Sequence, residues 1–69
     1  MTAKQLITAA AGYAGISNSE VARRIGTTPQ QLDSRLKTGK FTLEEWEKIA
    51  AAIGGRFEAK IIFPDGKEI

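Results

Sequence analysis

The sequence has no cysteine and no histidine. The first absence excludes disulfides. Together they exclude zinc-finger spacing and most metal or nucleophile–base sites. No apolar run approaches the roughly 18 residues that a membrane span requires. The opening "MTAKQLITAAAGYAG" has the small apolar residues of a leader segment, but Gln5 and Thr8 interrupt it, and a core this small has no such segment to spare. The chain is therefore expected to act as one intact cytoplasmic domain, residues 1–69. It has no repeats, linker or low-complexity segment, and nothing in it assembles a nucleophile, a base and an oxyanion site. No enzyme activity and no cofactor are expected.

At 69 residues, the domain buries only about 60% of its unfolded surface. The net charge of +2 is modest, but it is unevenly distributed. Through Lys40, six basic residues stand against Glu20 and Asp33; from Phe41 onward, four stand against six acids. One end is thus suited to phosphates while the other is solvated, although a mixed surface with chance asymmetry gives the same totals.

Four stretches carry a helix-start signal: Thr2–Gln5, Ser17–Glu20, Thr28–Gln31 and Thr42–Glu45. In each, a hydroxyl can accept from an orphan backbone N–H while the acid or amide three residues on reaches back. Pro29 adds to the third, since the first helical position needs no N–H. Gly15, Gly26, Gly39 and Gly54-Gly55 follow the helical patterns as stops. Helices are predicted near residues 3–14, 18–25, 29–38 and 43–53. Their apolar positions are Ala3, Leu6, Ile7, Ala10 and Ala14; Val21, Ala22 and Ile25; Leu32 and Leu36; and Leu43, Trp46, Ile49, Ala50 and Ile53. Trp46 reads as core rather than as a stacking platform, and Tyr13 as packing.

The segment "RFEAKIIF" alternates, which predicts a strand with Phe57, Ala59, Ile61 and Phe63 on one face. Pro64-Asp65-Gly66 forms a turn, and Lys67–Ile69 a short returning strand. The expected layout is a helical head, residues 1–55, and a C-terminal β-hairpin, residues 56–69. Such a hairpin is not stable alone. It either lids the core of a monomer or pairs with a second copy, with Phe57, Ala59, Ile61 and Phe63 as a homodimer interface.

Gly26-Thr27 leaves little slack between the second and third helices, which forces a steep crossing of the helix-turn-helix kind. With Leu32 anchored inward, Gln30, Gln31, Asp33, Ser34, Arg35 and Lys37 point outward. A Gln amide at the leading end of that helix can pair with adenine, so Gln30, Gln31 and Ser34 are candidates for base readout. Gln31 alternatively serves only the cap, and Ser34 alternatively faces water without a partner. Asn18, Thr28, Arg35, Lys37 and Lys40 are candidates for phosphate contacts, with plain capping the alternative for Asn18 and Thr28. Arg23 and Arg24 read as solvated, and Asp33 as a local partner of Lys37.

The stretch "ISNSEVARRIGTTPQQLDSRLKTGKFTLEEWEKIAAAIG" resembles the phage-repressor and Cro-like (XRE-like) helix-turn-helix family. The likeness runs from Ala3 to about Gly55. It rests on Asn18, Ala22, Gly26, Leu32, Gly39 and the "TLEEWEKIAAAIG" that follows. It implies a mostly α, four-helix lambda-repressor-like domain whose third helix enters the major groove of double-stranded DNA. The implied role is a sequence-specific transcriptional regulator, a repressor from a phage or mobile element that binds an inverted repeat as a homodimer. The alternative is a protein-interaction module, antitoxin-like or enzyme-inhibiting, that uses the same fold without an operator. Two departures stand out. Arg35 occupies the position where the family often has a second apolar anchor, with Leu36 next to it. A β-hairpin replaces the family's fifth helix.

Overall fold

A computed structural model describes all residues, Met1–Ile69. It contains four helices: α1 (Ala3–Ala14), α2 (Asn18–Arg24), α3 (Pro29–Thr38) and α4 (Leu43–Ile53). The helix starts follow from local chemistry. Thr2, Thr28 and Thr42 each accept from the backbone N–H three residues on, at 3.1 Å. Gln5, Gln31 and Glu45 return the bond to the cap residue's own N–H. The fourth start departs from expectation. Ser17 accepts from the Glu20 N–H at 3.1 Å, but the Glu20 carboxylate does not reach back. It is drawn instead to Arg23 and Arg24, whose guanidinium groups compete for the same oxygens.

The turn between α2 and α3 is tight. Ile25 ends α2, and Gly26 then takes φ +81°, a left-handed conformation that a side chain would strain. The Thr27 N–H donates back to the Ala22 carbonyl at 2.9 Å, which closes the helix end before Thr28 opens the next helix.

The core is built from seven buried side chains: Ile7 and Ala11 of α1, Val21 and Ala22 of α2, Leu32 and Leu36 of α3, and Ile49 of α4. Ile16, Ile25, Phe41, Trp46 and Ile53 pack around them. Val21 and Ala22 are fully enclosed, while Ser19, Arg23 and Arg24 of the same helix face outward. The buried stripe of α1 runs through Ile7 and Ala11, whereas Ala14, expected inward, is exposed. Tyr13 was expected to pack and is instead 96% exposed, because it lies off that stripe at the end of the helix. Leu43 likewise sits in solvent in the first turn of α4.

The C-terminal β-hairpin does not form as strands. Ile61 and Ile69 exchange backbone hydrogen bonds at 2.9 Å, and the Phe63 N–H donates to the Lys67 carbonyl at 2.8 Å. These bonds frame one isolated bridge, Ile62 to Glu68. Lys67–Ile69 pairs with residues 61–63, which leaves residues 56–60 without a backbone partner. No third strand supports the pair. The expected single face also divides. Phe57 stacks on Trp46 with centroids 5.1 Å apart, while Ala59, Ile61 and Phe63 are exposed.

The molecule measures 42 × 23 × 19 Å, and its radius of gyration is 13.1 Å. A compact domain of this length would have a radius of about 11 Å. The excess fits a C-terminal arm that leaves the helical head rather than folding onto it. No helix is long and apolar enough to cross a membrane.

Candidate functional site

The outward side of α3 lines a shallow concavity made of Thr27, Gln30, Gln31, Ser34, Arg35 and Thr38, with no hydrophobic residue among them. Helical spacing explains the grouping. Gln30, Ser34 and Thr38 form one row at intervals of four; Thr27, Gln31 and Arg35 form the adjacent row. Burial of Leu32 and Leu36 at 3% and 4% exposure fixes which side of the helix faces out.

The two rows differ in how committed their polar groups are. In the second, the Gln31 Oε1 accepts from the Thr27 hydroxyl at 2.6 Å and from the Thr28 N–H at 3.3 Å. That oxygen is engaged in the cap, which leaves the Gln31 Nε2 amide as its free donor. Gln30 and Ser34 make no side-chain hydrogen bond within the chain, so their full donor and acceptor sets face solvent. Thr38 is tied to the Arg35 carbonyl at 2.9 Å.

Arg35 resolves the departure noted in the sequence. The helix does not rotate; Leu36 is the second anchor and Arg35 turns toward α4. Its guanidinium is paired with the Glu45 carboxylate, donates to the Lys40 carbonyl at 3.2 Å and lies 5.0 Å from the Phe41 ring centroid. The Glu45 carboxyl is held below its ordinary range, first by the Thr42 N–H and then by Arg35.

The other cations are distributed in the same way. Asp33 lies between Lys37 at 3.2 Å and Lys4 at 3.6 Å, and Lys37 holds its carboxyl below the usual range. Glu20 takes both Arg23 and Arg24; the hydrogen bond from Arg23 is the main cause of its lowered pKa. Arg24 also donates to the Ala52 carbonyl at 2.9 Å, which ties α2 to the end of α4. Lys40, just past α3, has no acidic partner. The basic N-terminal half is thus a set of partly neutralised clusters, with Lys40 its one uncommitted side-chain cation.

Asn18 is the first residue of α2 rather than its cap, and its Nδ2 donates to the Thr8 hydroxyl at 3.1 Å. Asn18, Ser19 and Pro29 line one cleft, so the starts of α2 and α3 lie side by side. Thr28 is occupied as a cap. The structure therefore brings Gln30, Gln31, Ser34 and Arg35 together, sets Asn18 and Thr28 at the neighbouring helix starts, and leaves Lys37 on the flank with Asp33. Sequence reasoning missed Thr27 and Thr38 as lining residues, and Glu45 as the partner of Arg35. Thr27 was within reach, four residues before Gln31. The Arg35–Glu45 pair was not, because its two members stand on different helices. No family model, no curated protein and no solved structure matches the chain, so the functional reading rests on its own residues.

Proposed function

We propose that the chain is a sequence-specific DNA-binding regulator with a lambda-repressor-like helix-turn-helix head. It acts as a homodimer on an inverted-repeat operator and represses transcription by occluding a promoter. The observation that carries this reading is the uncommitted row on α3, Gln30 and Ser34, beside a turn that leaves α3 free to enter a groove. A free Gln amide offers the donor and acceptor that adenine requires, and Ser suits several bases. Lys40, the starts of α2 and α3, and Arg35 when released from Glu45 serve the phosphates on either side. No reaction is catalysed. The source is a phage or mobile element, and the site of action is the cytoplasm.

Selection of bound duplexes from a random pool tests this. Enrichment of an inverted repeat is the expected result. A pool that stays random, with weak binding insensitive to salt, would exclude it.

A second reading has its own support. Arg23, Arg24, Arg35 and Lys37 are all held by acids within the chain. That arrangement suits a protein-interaction module better than a phosphate clamp. Binding to DNA with a steep salt dependence favours the first reading; its absence, together with capture of a protein partner, favours the second.

A further inference from the structure

A groove of about 320 Å³ runs between α1 and α4. Leu6, Ala10, Trp46, Ala50 and Ile53 form most of its apolar wall, and Phe57 and its neighbours close one end. Elsewhere on the same molecule an apolar surface has no counterpart. Residues 61 and 69, and 63 and 67, are hydrogen-bonded pairs, so their side chains share one face of the arm. On that face Ile61, Phe63 and Ile69 are 65%, 45% and 72% exposed. Lys60 and Glu68 pair on the opposite face at 3.4 Å.

We propose that the arm of one chain lies across the α1/α4 groove of a second copy, the two chains exchanging arms about a two-fold axis. The root of the arm supplies the geometry. Arg56, Phe57 and Glu58 stand on the groove's own rim, after which the chain leads away from the head. A two-fold axis near that rim places each arm over its partner's groove.

The area is sufficient. At about 200 Å² for a large apolar residue, the three exposed side chains bring roughly 350 Å² per arm. With each arm fully covered and its partner's surface covered to the same extent, the two contacts bury up to roughly 1,400 Å², which reaches the range of specific interfaces. Charge also fits. Lys67, on the apolar face of the arm, has no acidic partner, and Glu44 and Glu47 of α4 have no basic one. Glu47 stands next to Trp46 and one turn before Ala50, both of which line the groove. The groove shares no residue with the α3 concavity, so one chain can hold its partner and present α3 at once. The proposal deepens the dimer of the proposed function and rests on that part of it, but its test needs no DNA.

The chain is free of cysteine, which makes directed cross-linking clean. Ala10→Cys and Ile61→Cys chains are prepared separately, mixed in equal amounts, oxidised mildly and separated by mass. Leu6→Cys serves as a second groove position should Ala10→Cys fold poorly. The mixed disulfide between a groove cysteine and an arm cysteine is expected to exceed either symmetric product by about tenfold. A predominance of the Ile61→Cys symmetric dimer would overturn the proposal in favour of pairing between arms. Absence of any cross-linked dimer, with the wild type sedimenting as a monomer at all concentrations, would overturn it as well. In an orthogonal check, Ile62→Pro should leave the wild-type dimer intact, because the Ile62 N–H makes no backbone bond within the chain. Loss of the dimer in that variant would point instead to edge-to-edge strand addition. The two failures are distinguishable: a monomeric wild type would reduce the selected motif to a single half-site, whereas failure of the α3 reading would leave the pool random.

Discussion

Replacing Glu45 by glutamine separates the two roles of that side chain. Its Oε1 accepts the Thr42 N–H at 3.1 Å and completes the cap of α4; its Oε2 holds Arg35. Glutamine keeps the first role, since the capping pattern accepts Glu or Gln, and removes the charge that restrains the guanidinium. Arg35 lines the α3 concavity, so its release adds one mobile cation beside Gln31 and Ser34. One added phosphate contact steepens the dependence of log affinity on log salt by about 0.9. Between about 50 and 200 mM salt this enlarges the loss of affinity by about 3.5-fold per chain, and by about 12-fold for a dimer on two half-sites. Fluorescence anisotropy of a labelled duplex, titrated at several salt concentrations, reads the slope directly. Circular dichroism on the same samples checks that α4 remains helical. Superimposed slopes for Glu45→Gln and wild type, with helicity retained, would show that Arg35 does not reach the phosphates even when freed.

Gln30→Ala should relax base preference at one position per half-site at a cost of about 1–3 kcal/mol, without moving the melting temperature. An unchanged selected motif would remove Gln30 from the readout. Leu36→Ala should destabilise the fold by about 2–5 kcal/mol, a large share of the roughly 3–10 kcal/mol expected for a chain of this length. If thermal melts show Leu36→Ala as mild as an exposed substitution, the assigned phase of α3 is wrong. Thr28→Ala should cost about 1 kcal/mol of stability through its cap, and should weaken DNA binding no more than that loss explains. Glu20, Asp33 and Glu45 all have folded pKa values below their ordinary ones, so each contributes stability above the unfolded carboxylate pKa and loses it as pH falls through the lowered folded value. The melting temperature should stay level from neutral pH to about 5 and fall below about 4. A melting temperature that holds steady to pH 2 would contradict the assigned pairs.

Helix ends were legible because they are decided locally. A Thr and a Gln or Glu three residues apart form a cap whatever lies beyond them, and α1, α3 and α4 begin and end where the pattern places them; α2 stops one residue short, at Arg24. The buried register was less legible. Several of the small residues of α1 could serve an inward stripe, and contact with α2 and α3 selects Ala11 over Ala14. The arm was misread because alternation reports a face, whereas a strand needs a partner, and residues 56–60 have none within the chain. In the candidate site, sequence spacing found the outward row of α3 and the Asp33–Lys37 pair. It could not show that Arg35 is tied to Glu45, since no helical repeat relates residues on different helices.

The caps of α1, α3 and α4, each closed within three residues, also bear on how fast the chain folds. Each of these helices can be nucleated by its own ends before it meets another, which lowers the cost of the first turn that isolated helices face. A small helical head of this kind belongs among domains that fold in microseconds to milliseconds. The arm supplies none of the seven core side chains, so the head can close without waiting for it.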